Sequence, residues 1–78
     1  MKSYCCKGFV YKVREILPYQ WYVQVYWRNP NGSRGGVCRL VDELDGDDCR
    51  SKVYQSPLTT QKFLDRMAQQ NGWAVYEE

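Results

Sequence analysis

Tyr22, Tyr26 and Arg28 fall on alternate positions of one short stretch, PYQWYVQVYWRNPNG, residues 18–32. In an extended chain, residues of one parity share one face. Two phenol rings and a guanidinium on one face can stack on planar groups and grip anions. Such a set serves single-stranded nucleic acid, where rings meet bases and cations follow phosphates. It equally serves protein interfaces, where Tyr and Arg are enriched. Arg34, in NGSRGG just downstream, adds a cation at the adjacent tip. Tyr22, Tyr26, Arg28 and Arg34 are therefore the expected contact set.

A second patch is acidic. DELDGDD, residues 42–48, carries five carboxylates and no base. Asp42, Asp45, Asp47 and Asp48 are hard oxygen donors around Gly46. A calcium loop of the EF-hand kind would need a glutamate six residues after that glycine, and Lys52 stands there instead. Metal binding is not expected. Asp45, Asp47 and Asp48 are expected as a weaker partner-binding patch, suited to a basic partner or to the basic channel of a nucleic-acid-binding complex.

Enzyme chemistry finds little support. The chain has no histidine, so a serine or cysteine nucleophile lacks its usual base. A Lys–Arg–Tyr ribonuclease site can work without histidine by stabilising charge on the phosphate, but no motif groups those residues here. NGSRGG leads into a strand and lacks the helix N-terminus that cradles phosphate. Four cysteines, Cys5, Cys6, Cys38 and Cys49, offer only one close pair. That pair is adjacent, and in a strand its members point to opposite faces, which suits neither zinc nor a shared site. Buried or half-buried thiols are expected, with no cofactor and no catalytic residue.

The elements that would hold these residues read as follows. Residues 3–14 alternate as one strand. Trp21, Val23, Val25 and Trp27 form an apolar face opposite Tyr22, Gln24, Tyr26 and Arg28. The tryptophans are thus expected in the core, and the tyrosines towards water or a partner. Pro18 breaks EILPYQ into a turn, and NPNG marks another. Residues 35–41 read as a third strand and 49–54 as a short fourth. Ser56-Pro57, Thr59 and Thr60 offer helix caps. Leu58, Phe63, Leu64, Met67 and Ala68 recur at helical spacing, and Asn71-Gly72 stops the helix. Trp73, Val75 and Tyr76 form a last strand. The order ββββαβ predicts an α+β domain, an antiparallel meander with one helix on one face. Seventy-eight residues make one domain, 1–78.

Composition agrees with a folded binding protein. Hydrophobic residues make up 44%, too many for a disordered chain, and aromatic residues 15%. Charge is segregated: residues 1–41 carry net +6, residues 42–48 net −5 and the remainder +1. No apolar run could span a bilayer, and the start lacks the apolar block of a signal peptide, so a cytoplasmic location is expected. No motif identifies a family. In size, single-domain build and lack of catalytic residues, the chain resembles small phage and mobile-element proteins that bind and block a host machine, including anti-CRISPR proteins. That resemblance implies a non-enzymatic inhibitor occupying a surface on a larger protein or complex. The alternative is a single-stranded nucleic-acid binding module using the same sheet face, and homodimerisation is compatible with either.

Overall fold

In the computed structural model, residues 1–41 and 56–77 are described. Among these residues there are five strands, β1 (Ser3–Cys6), β2 (Phe9–Leu17), β3 (Gln20–Arg28), β4 (Arg34–Leu40) and β5 (Ala74–Tyr76), and one helix, α1 (Pro57–Asn71). The order ββββαβ and the α+β class are those expected. The strands form one sheet, β4-β3-β2-β1-β5, with every neighbouring pair antiparallel.

The first expected strand is in fact two. The chain reverses at Lys7-Gly8, where Lys7 takes φ 53, so that Cys6 pairs with Phe9 and Tyr4 with Tyr11. A two-residue hairpin turn often needs positive φ at its first central position. The reversal also exchanges the parities: Tyr4 and Cys6 now share a face with Phe9, Tyr11 and Val13. The expected strand at 49–54, with Cys49, lies outside the described residues.

α1 packs on β2 and β3. Ser56 is its N-cap, its hydroxyl accepting from the Leu58 N–H at 3.2 Å, and Pro57 opens the helix. Thr60 is buried, and its hydroxyl donates to the Ser56 carbonyl at 2.9 Å. At the far end Gly72 takes φ 70, the left-handed stop that a Cβ would strain. Leu64 and Ala68 face the sheet and close on Tyr4, Tyr11, Val13, Val23 and Val25, with Phe63 and Met67 at the margin. Full burial of an aliphatic side chain such as Leu64 contributes about 1.5–3 kcal/mol. Leu58, expected on this face, is exposed. It stands in the first turn, before the helix reaches the core.

Trp73 follows the helix stop and stacks on Tyr11, ring centroids 4.0 Å apart. Tyr4 donates its hydroxyl to the Asp65 carboxylate at 2.7 Å, tying β1 to α1. Cys5, Cys6 and Cys38 are half-buried free thiols; Cys6 and Cys38 pack against the core.

Candidate functional site

β3 carries the residues on which the functional reading depends. Register partners in a sheet share a face, so Trp21, Val23, Val25 and Trp27 lie on the helix side, with Tyr22, Gln24, Tyr26 and Arg28 opposite. The predicted parity is therefore present, but exposure does not follow it. Trp21 packs at the core margin, whereas Trp27 is 51% exposed. Tyr26, expected on an open plane, is only 4% exposed. The reason is that charged and polar side chains close the second face. The Arg14 guanidinium donates to the Tyr26 hydroxyl, and the Arg34 guanidinium lies 4.5 Å from the Tyr26 ring centroid. Beside them Val10 is fully buried, and the Gln24 side chain donates to the Arg39 carbonyl at 2.8 Å.

The two ends of the sheet also approach each other on this side. Tyr76 of β5 donates its hydroxyl to the Gly32 carbonyl at 3.0 Å, in the turn joining β3 to β4. The Arg28 guanidinium sits 5.8 Å from the Tyr76 ring centroid. Gly32 takes φ 91 there, and its N–H closes the turn onto the Asn29 carbonyl at 2.8 Å.

Of the expected contact set, Tyr26 is thus sealed. Tyr22 is half-buried, its hydroxyl 3.4 Å from the Gln20 side-chain oxygen. Arg28 is half-buried and engaged with Tyr76. Arg34 is exposed, though its guanidinium spans Tyr26. Asp45, Asp47 and Asp48, like the rest of the acidic stretch, lie outside the described residues.

Exposed apolar side chains gather instead at the two ends of β3. At its start is the turn between β2 and β3, where Pro18 and Tyr19 connect Leu17 to its partner Gln20. Ile16, Leu17 and Tyr19 are 41%, 54% and 77% exposed there. Tyr19 takes φ 60, the conformation that a turn with proline in its second position ordinarily gives to glycine. The Glu15 carboxylate accepts the Tyr19 N–H at 3.1 Å and holds the turn. EILPYQ reads as a turn from Pro18 alone; the signal for an exposed tip is its run of four apolar residues, Ile16 to Tyr19, where a turn is ordinarily polar.

At the other end of β3, Trp27 leans on Phe9, centroids 5.3 Å apart. Opposite Trp27, the register of β4 slips by one, accommodating Gly35 and Gly36 between Val37 and Arg34. A Cβ at Gly36 would meet nothing within 4 Å. A second slip beside Val25 lets both Cys38 and Arg39 face the helix side. Arg39 lies 5.9 Å from the Phe9 ring centroid. Arg39 is thus the cation on the Phe9–Trp27 side, while Glu15, the one acid of residues 1–41, is at the opposite end of β2.

Among the described residues, no helix is long and apolar enough to cross a membrane. Compared with known proteins, the chain matches no family model, no curated protein and no solved structure, so its own side chains must carry the functional reading.

Proposed function

We propose that this protein is a non-enzymatic binding module that docks on a larger protein and acts by occupying its surface. Inhibition of a host complex by a phage or mobile-element protein, in the manner of an anti-CRISPR, is the biological setting this reading favours. One observation carries it: Ile16, Leu17 and Tyr19 project together from the tip of a hairpin. Clustered exposed apolar side chains mark interaction sites, whereas scattered ones do not. An aromatic ring at the centre of such a cluster is the usual anchor of a protein interface.

The tip can be tested because its side chain and its backbone pull in opposite directions. A non-glycine residue in the left-handed region costs about 1–2 kcal/mol, and glycine returns about 0.5–1 kcal/mol of that as lost chain entropy. Tyr19→Gly should therefore hold or raise stability by up to about 1 kcal/mol in urea unfolding. It should also weaken capture of the partner from the native host at least tenfold, the scale of an interface anchor. Capture that survives nuclease treatment and fails with Tyr19→Gly is the expected result. Undiminished capture by the variant would remove the tip from the interface.

The second reading, a single-stranded nucleic-acid binder, is favoured by Trp27, a half-exposed ring beside Phe9, with the Arg39 guanidinium 5.9 Å from the Phe9 ring centroid. It predicts recovered nucleic acid, an affinity falling steeply with salt as counterions are released, and loss on Trp27→Ala. Tyr19→Gly would then have no effect.

A further inference from the structure

Between α1 and β1 lies a pocket of about 360 Å³, lined by Lys2, Tyr4, Asp65, Ala68, Gln69 and Trp73. It is far in sequence from the β2–β3 tip and does not depend on the docking reading. Its walls bear opposite charges. Lys2 and Asp65 face the same space, yet they form no ion pair with each other among the described contacts. A pair of charges sharing a pocket without joining leaves both available to a third party.

The Asp65 carboxylate is held in place. Its Oδ1 accepts the Tyr4 hydroxyl at 2.7 Å and the Gln61 side-chain N–H at 2.8 Å. Tyr4 is itself more than nine-tenths buried. The same Gln61 nitrogen donates to the Lys2 carbonyl at 3.1 Å, which fixes the backbone from which the Lys2 side chain springs. Oδ2 takes part in no described hydrogen bond. One carboxylate oxygen is therefore fixed by two donors while the other is left for a donor from outside. Trp73 is pinned by its stack on Tyr11, and Ala68 is too small to fill the space beside it.

We infer that this pocket binds a free α-amino acid with an apolar side chain. The ligand's ammonium meets Asp65 Oδ2, its carboxylate meets the Lys2 ammonium, and its side chain lies against Trp73 and Ala68. A net-neutral pocket with separated charges suits a zwitterion better than a lone cation, which Lys2 would repel, or a lone anion, which Asp65 would repel. Trp73 and Ala68 give this otherwise polar pocket one apolar side, and a small-molecule site combines apolar surface with a few convergent polar groups.

The test is amide-resolved NMR titration of the full chain with L-leucine, leucinamide and N-acetyl-leucine. Leucine should shift the resonances of Tyr4, Asp65, Gln69 and Trp73 saturably. Leucinamide, lacking the carboxylate, and N-acetyl-leucine, lacking the ammonium, should each bind at least about tenfold more weakly, the scale of one hydrogen bond to a charged group. Asp65→Asn keeps an oxygen for both Tyr4 and Gln61 and removes only the charge, so the fold should persist while leucine falls to the level of N-acetyl-leucine. Lys2→Gln, at an exposed position tied through its backbone carbonyl, should bring leucine down to the level of leucinamide. No saturable shift, or leucinamide binding as well as leucine, would overturn the inference.

Discussion

The two faces of this sheet are closed by different means. On the helix side, Leu64 and Ala68 press aliphatic surface onto Val13, Val23 and Val25, and the closure is apolar. On the other side no described helix packs, yet Val10 and Tyr26 are as deeply buried as the core. Guanidinium groups cover the rings there: Arg14 on the Tyr26 hydroxyl, Arg34 over its ring and Arg28 over Tyr76. Arginine can cover a ring with its flat head while its own charge stays near water. A small domain with one helix to spare can therefore seal a second face with long side chains from the sheet itself. The basic surplus of residues 1–41 is in part a structural device, which lowers its value as a sign of nucleic-acid binding.

This contrast can be broken from either side. Leu64→Ala should cost most, about 2–5 kcal/mol in urea unfolding, because it leaves a cavity beneath the helix. Tyr26→Phe keeps the ring under Arg34 but removes the acceptor for Arg14. It should cost about 1 kcal/mol, the net worth of one hydrogen bond, and a loss as large as that of Leu64→Ala would mean the second face is not a lighter closure. The smallest effect is confined to alkaline solution and to the helix side. The hydrogen bond to Asp65, then burial, raises the Tyr4 hydroxyl above its ordinary value of 10.0. Burial raises Tyr11 above the same value, with Arg39 opposing. The folded state thus holds these protons more tightly than the unfolded chain. Their contribution is complete below pH 10.0 and lost as pH rises through the folded values. Tyr4→Phe should flatten that decline in stability measured across the alkaline range, and an unchanged slope would acquit Tyr4.

Much of this was legible in the sequence, and the failures have physical causes. Alternation assigned the faces of β3 correctly, because register leaves a side chain only two directions. It could not assign exposure, since that depends on which neighbours reach across: Arg14 and Arg34 come from other strands and bury Tyr26. Trp27 shows the converse. It points to the helix side but pairs near the glycines of β4, beyond the aliphatic cover of Leu64 and Ala68. The helix was readable from Ser56, Pro57 and Gly72, whose backbone roles are local. The reversal at Lys7-Gly8 was missed because residues 3–14 alternate plausibly straight through it; Gly8 and the exchange of apolar parity around it were the available cues. The Tyr4–Asp65 tie spans 61 positions, a distance at which no sequence pattern speaks.

The strand order has a consequence in time. β1 is made first and β5 last, yet they are neighbours, Tyr4 opposite Val75. During synthesis the β1–β2–β3–β4 portion can assemble early from adjacent hairpins, but the flank of β1 receives β5 only after Tyr76 has emerged. Bringing partners together over so long a loop is the slow kind of step in folding. Until it happens, β1 offers bare backbone donors and acceptors to any extended chain nearby, so nascent molecules are most at risk of sticking to one another before β5 takes its place.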